Sequence, residues 1–216
     1  MTDSITFYTN PMSRGRIVRW MLEEIGHPYE TVVLDYASGM KSPDYLAINP
    51  MGKVPAIRHG DTIVTEGAAI CAYLADRFPD AVLATPSGNE SRGPYYRWLF
   101  FAAGPVEAAV TAKSLGLLAP PDKKSMAGYG SFEDTIDALE TAVRDGPYIC
   151  GDQFTAADVY VGSQIGWGMM FGTMDKRPAF EEYFARISSR PAAVRAAELD
   201  DALMPKEQAQ GQAEAE

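Results

Sequence analysis

The chain contains Lys53-Val54-Pro55-Ala56-Ile57, a short turn at His59-Gly60-Asp61, and then Thr65-Glu66-Gly67-Ala68-Ala69. The β-branched and apolar segments on either side of the turn predict two short antiparallel strands joined as a hairpin. The predicted strands are residues 54–58 and 62–65. Apolar residues then recur at helical spacing as far as Phe78, and Pro79 ends the pattern. A helix from Glu66 to Phe78 is therefore expected to follow the hairpin directly.

The segment before this hairpin alternates between strand and helix patterns. Residues 5–9 have strand composition, apolar residues then repeat at helical spacing with Ser13 as the candidate N-cap, and residues 29–34 are again strand-like. Ser42-Pro43-Asp44 is typical of the start of a short helix, expected to reach residue 48. The first strand, helix and strand form a βαβ unit with parallel strands. The order β-α-β-α-β-β-α predicts an α/β domain built on a four-stranded mixed sheet.

Strand patterns end at a linker-like segment, and the rest of the chain has helical patterns. These patterns cover residues 95–111, 132–144, 156–170 and 179–187. Thr155 and Asp158 are spaced as a capping box at the start of the third of them, which is a structural feature. The predicted organisation is an α/β domain at 1–80, a linker at 81–90, an all-α domain at 91–204 and a disordered tail at 205–216.

Composition and charge exclude several classes of function. The formal net charge of -10 is unsuited to nucleic acid or an anionic membrane, because both bind clustered Lys and Arg. Cys71 and Cys150 form no Cys-x-x-Cys pair, so neither a zinc site nor a dithiol redox centre is expected. The chain shows no apolar run of membrane-spanning length and no secretory leader, and we expect it to be cytoplasmic.

Two histidines limit the catalytic possibilities. A nucleophile-histidine-acid triad would need His27 or His59, and both are predicted to lie on the surface. They are not at helical spacing, so a two-histidine metal face is not expected either. Ser13-Arg14-Gly15-Arg16 lacks the Gly-Lys-Ser/Thr of a phosphate-binding loop. The sequence therefore predicts no metal and no nucleotide cofactor.

The residues around the hairpin suit the binding of a small peptide. With a cis Val54-Pro55 bond, the Val54 main chain would pair with a ligand's main chain; the alternative is an ordinary trans proline at a strand edge. Glu66 and the N–H of Gly67 at a helix start would bind the ammonium and carboxylate of an α-amino acid head group. The alternative is an acidic first turn that only complements the helix dipole. Lys53 and Lys41 are candidates for the opposite carboxylate.

At four places the sequence resembles the cytosolic glutathione S-transferases. The matching segments are residues 8–13, 49–56, 65–74 and 151–158. Many relatives have Ser where this chain has Gly67, which preserves the backbone N–H and removes one side-chain hydrogen bond. The resemblance implies a thioredoxin-like N-terminal domain, an all-α C-terminal domain and a homodimer. It also implies glutathione as co-substrate and a small hydrophobic electrophile as its partner.

The resemblance implies that a hydroxyl group stabilises the glutathione thiolate. A free thiol has a pKa of ~8.5, and a hydrogen bond to the sulfur from a hydroxyl near a helix N-terminus lowers it. Ser13 holds the position where bacterial relatives of the serine or cysteine type place their hydroxyl or thiol, and we favour it. Tyr8, at the end of the first strand, is the runner-up. Ser13 as a helix cap and Tyr8 as a core aromatic are the structural alternatives.

The same resemblance leaves other functions open. One alternative is a non-catalytic, regulatory protein that binds glutathione. Another is an enzyme with the same binding site that acts as a glutathione-dependent peroxidase, dehalogenase or isomerase. Fold alone does not decide among them.

Overall fold

The computed structural model describes residues 4–204, so the tail predicted at 205–216 lies outside the described residues. Its contacts divide the chain into two compact units. The first unit runs to Ala81 and also includes the segment that begins at Arg190, and the second is Val82–Ser189. The predicted boundaries at 80 and 90 stay predictions. The grouping differs from them at the C-terminal end, where the last helix belongs with the first unit.

The first unit contains a four-stranded mixed sheet, as the hairpin and βαβ patterns predict. Its strands are β1 (Ile5–Thr9), β2 (Tyr29–Val33), β3 (Ala56–His59) and β4 (Thr62–Thr65), in the spatial order β2-β1-β3-β4. β1 pairs with β2 in parallel, whereas the β1–β3 and β3–β4 pairs are antiparallel. The predicted start of β3 at residue 54 is two residues early, because pairing begins only after Pro55, which has no N–H to donate.

Four α-helices belong to the described part of the first unit, residues 4–81 and 190–204. They are α1 (Gly15–Ile25), α2 (Pro43–Leu46), α3 (Gly67–Arg77) and α9 (Pro191–Asp201). The inner face of α1 buries Ile17, Val18, Met21 and Leu22, which repeat at the spacing of one helix face. Gly26 ends α1 in the left-handed conformation, with its N–H bonded to the Leu22 carbonyl. The sequence did not predict α9, most of whose residues are alanine or charged.

The second unit is helical over its described residues. Its helices are α4 (Arg92–Phe101), α5 (Glu107–Ser114), α6 (Phe132–Arg144), α7 (Ala156–Met170) and α8 (Pro178–Ser188). The single helix predicted at 95–111 is instead interrupted by a π-helical turn, Ala102–Val106, that contains Pro105. Proline lacks an N–H and clashes with the carbonyl four residues earlier, and the wider turn accommodates it.

The capping box at the start of α7 forms as predicted. Asp158 accepts hydrogen bonds from the N–H groups of Thr155 and Ile149, both at 2.8 Å, and from the hydroxyl of Tyr183 at 2.8 Å. The Asp158 carboxylate is fully buried, and this burial raises its pKa. Its role is to join the start of α7 to α8 and to the loop before α7.

One prediction about the histidines was wrong. His59 is buried, with its ring hydrogen-bonded to the Tyr73 hydroxyl at 2.9 Å and stacked on Phe78. It lies at the turn end of β3, where the side chains of Tyr73 in α3 and Phe78 just after that helix cover its ring. No helix among residues 4–204 is long and apolar enough to cross a membrane.

Candidate functional site

The register of the sheet brings three separate parts of the sequence to one end of it. Tyr8 of β1 pairs with Ala56 of β3, and Ala56 pairs with Thr65 of β4. The residues next to this row are most of those proposed for the site. They are Ser13 in the loop after β1, Val54 and Pro55 before β3, and Glu66 and Gly67 after β4. Segments that are distant in sequence are thus neighbours at this end of the sheet.

The Val54-Pro55 peptide bond is cis, and the trans alternative does not apply. Pro55 is buried, while Val54 is half-buried and packs on the core cluster of Met40, Tyr45 and Ala56. Val54 precedes the first paired residue of β3, so its main chain is not part of the β3–β4 ladder. It lies in the segment that leads into β3, an inner strand, where its main-chain groups can pair with the main chain of a ligand.

Two side chains hold the peptide that leads into Val54. The Lys53 carbonyl accepts a hydrogen bond from the Tyr45 hydroxyl at 2.6 Å and one from Asn49 Nδ2 at 2.8 Å. Asn49 Oδ1 in turn accepts from the Met51 N–H at 3.0 Å. Burial raises the pKa of Tyr45 to about 12, so its hydroxyl remains a donor throughout the physiological range. Sequence reasoning gave Tyr45 and Asn49 no role, although both belong to the stretch just before the Val-Pro step.

The two lysines proposed for the site have different surroundings. Lys41 Nζ donates to the carbonyls of Met51 and Gly52 at 3.1 and 2.9 Å, so it braces the loop that leads to Lys53. Gly52 has a φ of +57°, and a Cβ there would lie 2.6 Å from the Met40 carbonyl, so only glycine fits. The Lys53 side chain is exposed. Lys53 is thus free to turn toward a ligand, whereas two N–H groups of Lys41 already have partners.

Glu66 has a backbone conformation that is rare for a residue with a side chain. Its φ is 67° and its ψ is 117°, and its side chain makes no capping hydrogen bond to α3. Such a conformation costs about 1–3 kcal/mol and persists where the surrounding structure requires it, commonly at binding sites. Gly67 is the first residue of α3, so its N–H is among those without a partner inside the helix. An exposed carboxylate and a helix N-terminus therefore lie side by side.

The Ser13 hydroxyl is held by its own loop. Ser13 Oγ donates to the Asn10 carbonyl at 2.7 Å and accepts from the Gly15 N–H at 2.9 Å. The N-cap of α1 is Arg14, and Ser13 lies one residue before it, partly exposed. Its hydroxyl can rotate, and a better acceptor than a carbonyl, such as a thiolate, would compete for its proton.

Tyr8 packs against the edge of a core cluster. Its ring lies 5.5 Å from the ring of Tyr45 and against the cluster of Met40, Tyr45 and Ala56. It is half-buried at the end of β1. Its location suits packing beneath the loop that carries Lys53.

Neither cysteine suits the role of a nucleophile. Burial raises the pKa of Cys71 to about 12 and that of Cys150 to about 12, so both thiols stay protonated. Among residues 4–204 no group of three His, Cys, Asp or Glu side chains is arranged to hold a metal ion. The expectation of a metal-free site stays a prediction.

Known proteins match this chain over most of its length. Residues 12–77 match the family model for the glutathione S-transferase N-terminal domain, and residues 107–186 match that for the C-terminal domain. The chain is 30% identical to glutathione S-transferase GstA of Escherichia coli O157:H7, over 84% of this chain and 89% of that protein. It is 31% identical to glutathione S-transferase GST-4.5 of Xanthomonas campestris pv. campestris, over 83% and 91% respectively. The chain belongs to the glutathione S-transferase family.

Solved structures of glutathione S-transferases share its fold. A glutathione transferase from Methylococcus capsulatus superposes with a TM-score of 0.76 at 28% identity, covering 91% of this chain and 98% of that one. A sphingomonad glutathione S-transferase complexed with glutathione gives a TM-score of 0.74 at 27% identity, covering 90% and 98%. The thioredoxin-like first unit and the helical second unit of this glutathione S-transferase are therefore those of its family.

Proposed function

We propose that this member of the glutathione S-transferase family binds glutathione at the sheet end beside Tyr8, Ala56 and Thr65 and activates its thiol. The observation that carries the proposal is the strand register. It brings three groups to one end of the sheet: the Ser13 hydroxyl, the main chain just before β3, and the N-terminus of α3 beside the Glu66 carboxylate. Those are the groups that a short peptide with a thiol, two carboxylates and an ammonium group requires.

Glutathione binding would use main-chain and charged groups together. The cysteinyl main chain pairs with Val54, and the γ-glutamyl head group lies with its carboxylate at the Gly67 N–H and its ammonium at Glu66. Lys53 meets the opposite carboxylate, and Lys41 helps by bracing the loop. The conformation of Glu66 supports this arrangement, since it holds the carboxylate at the helix start instead of in the helix.

The chemistry would be a nucleophilic substitution or addition by sulfur. On binding, the thiol loses its proton to solvent, and the Ser13 hydroxyl rotates from the Asn10 carbonyl to donate to the sulfur. The thiolate then forms a C–S bond to a small hydrophobic electrophile. In a substitution the leaving group departs with the bonding electrons, and in an addition the displaced π-electron pair stays on the electrophile and takes a proton from solvent. A pKa lowered by one unit corresponds to about 1.4 kcal/mol, which one charge-assisted hydrogen bond can supply.

The choice of Ser13 over Tyr8 assigns the protein to the bacterial serine or cysteine type. Both residues are half-buried, but Ser13 lies in the loop at the start of α1, whereas the Tyr8 ring packs on Tyr45. We further expect a cytoplasmic homodimer, as in the family resemblance. Light scattering on the purified protein would measure its mass, and a monomer at micromolar concentration would contradict the dimer.

The decisive experiment is an ultraviolet titration of the thiolate of bound glutathione. The wild type should show a pKa below the ~8.5 of the free thiol. Ser13→Ala should abolish this shift, and Tyr8→Phe should retain it. The opposite result would transfer the role to Tyr8. Assays with a panel of aryl halides, epoxides, peroxides and haloalkanes would then separate transferase from peroxidase, dehalogenase and isomerase activity.

One observation favours a second candidate, a non-catalytic protein that binds glutathione. The Ser13 hydroxyl already has an acceptor in the Asn10 carbonyl. If that bond persists when glutathione binds, the thiol receives no donor from Ser13. Calorimetric binding of glutathione with an unshifted thiol pKa and no turnover of any electrophile would support this alternative.

A further inference from the structure

The loop that carries Ser13 is attached to the C-terminal helix by one side chain. Arg16, in the first turn of α1, donates from Nε to the Pro11 carbonyl at 2.6 Å. Its Nη2 donates to Asp201 Oδ1, at the end of α9, also at 2.6 Å. One guanidinium thus connects α9 to the residue two positions before Ser13.

These contacts fix a particular peptide unit. The Pro11–Met12 peptide has its carbonyl bonded to Arg16 and its N–H bonded to Asn10 Oδ1 at 2.9 Å. Both polar groups of that peptide are therefore held, and it is the unit immediately before the Met12–Ser13 bond. The Asn10 carbonyl also accepts a hydrogen bond from the Ser13 N–H at 3.0 Å. Asn10 therefore closes the turn with both its side chain and its main chain.

From this geometry we infer that Arg16, supported by Asp201, is a positioning residue that sets the orientation of the Ser13 hydroxyl toward the glutathione sulfur. The inference rests on the proposed function of Ser13. Arg16 suits the role because its planar guanidinium donates in two fixed directions, which a lysine cannot do. Without it, the Pro11 carbonyl can rotate away, and the hydroxyl loses the alignment on which a hydrogen bond to sulfur depends.

The neighbouring ion pairs between α1 and α9 provide a matched control. Arg195 Nε of α9 pairs with Glu23 Oε2 of α1 at 3.0 Å, in the same joint between the two helices. This ion pair involves no residue of the Ser13 loop, and the Arg195 side chain is largely exposed. Arg195→Ala therefore loosens the joint without touching the Pro11 carbonyl.

The test is the pKa of the thiol of bound glutathione, with glutathione itself as the probe, in Arg16→Ala, Asp201→Asn, Arg195→Ala and Ser13→Ala. Arg16→Ala should raise that pKa by about one unit, a tenfold change in the thiolate equilibrium. Asp201→Asn should raise it less, and Arg195→Ala should leave it unchanged. In the double variant Ser13→Ala/Arg16→Ala, the pKa of the bound thiol should equal that in Ser13→Ala alone. The affinity for glutathione should change by less than about threefold in each, because the clamp residues are untouched.

The outcomes separate this inference from the proposal beneath it. If Ser13→Ala itself does not raise the pKa, the role of Ser13 is wrong and the inference falls with it. If Ser13→Ala raises the pKa and Arg16→Ala does not, only the inference is overturned. Equal rises in Arg16→Ala and Arg195→Ala would also overturn it, since a loosened helix joint would then be the cause. If Arg16→Ala does not fold, Arg16→Lys decides in its place, because lysine keeps the charge and lacks the two fixed donor directions: a raised pKa supports the inference and an unchanged pKa overturns it.

Discussion

The backbone of Gly15 lies so close to the Thr9 side chain that a Cβ at residue 15 would overlap with Thr9 Oγ1. The same Cβ would come within 3.0 Å of Ser13 Oγ. Gly15 therefore lets the first turn of α1 approach the end of β1, and its N–H reaches the Ser13 hydroxyl because of that approach. A small residue at the helix start is a condition for the geometry of the loop.

Gly15→Ala should both destabilise the protein and disturb Ser13. We expect a loss of about 1–3 kcal/mol in the free energy of unfolding, because the added methyl forces the helix away from β1. Urea denaturation measures this loss, and the titration of bound glutathione measures the effect on the thiol. Gly93→Ala in α4 is the matched control, since a Cβ there meets nothing within 4 Å. A stable Gly15→Ala protein with an unchanged thiol pKa would contradict the expectation.

Glu66→Gly should stabilise the fold and weaken binding. Glycine relieves the positive φ of residue 66 by roughly 1 kcal/mol, while the carboxylate proposed for the ammonium group is lost. Val82→Gly is the control, because Val82 also has a positive φ, of 55°, and plays no part in the proposed site. Thermal unfolding and calorimetric titration with glutathione measure the two effects. Undiminished affinity in Glu66→Gly would remove Glu66 from the site.

The hydroxyl of Tyr45 gives a prediction about pH. Burial raises its pKa from 10.0 to about 12 in the folded protein, so the folded state holds this proton more tightly than the unfolded chain. The resulting contribution to stability is complete below pH 10 and is lost as the pH rises toward 12. The difference between wild type and Tyr45→Phe in a tyrosine absorbance titration should therefore show one group with a midpoint near 12. A midpoint near 10 would mean that this hydroxyl is not buried.

Tyr45→Phe should also loosen the peptide before Val54. It removes one of the two hydrogen bonds to the Lys53 carbonyl and leaves the bond from Asn49. We expect a cost of about 0.5–1.5 kcal/mol in stability, which denaturation with urea would measure. The affinity for glutathione should fall in parallel. Asn49→Ala in the same background should lower it further, because the carbonyl then loses both donors.

The buried ion pair between α1 and α9 should be sensitive to the loss of one partner. Arg19 Nε lies 3.1 Å from Asp200 Oδ1, and both side chains are almost fully buried. Asp200→Ala leaves the Arg19 charge without its partner and should cost about 3–5 kcal/mol. Arg195→Ala removes a largely exposed side chain in the same joint and should cost at most about 1 kcal/mol. Similar costs for the two substitutions would contradict the importance of burial here.

The parts of the fold that depend on local pattern could be predicted from sequence. The hairpin, the helix after it and the capping box at Thr155 and Asp158 follow from short-range rules, and the structure contains all three. The π-helical turn at Pro105 was missed because its signal is a single proline inside an otherwise helical pattern. The helix α9 was missed because most of its residues are alanine or charged, and its ion pairs with α1 leave no hydrophobic period.

The residues proposed to face the ligand were proposed from sequence motifs and stay predictions, whereas the residues that support them have no local sequence signal. Val54, Pro55, Glu66 and Gly67 form short motifs with a recognisable chemistry. Arg16 depends on a partner 185 residues away, and no local pattern reveals such a pairing. The burial of His59 likewise arises from contacts with Tyr73 and Phe78, which lie outside the hairpin.

The row of Tyr8, Ala56 and Thr65 also determines where the chain can accept added length. An extra residue between Ala56 and His59 would shift the register of β3 and turn its side chains to the opposite face of the sheet. Lengthening the turn at Gly60 adds residues at the far end of the hairpin and leaves that row intact. Insertions for labelling, or breaks for splitting the chain into two fragments, therefore belong at this turn and not within the strand.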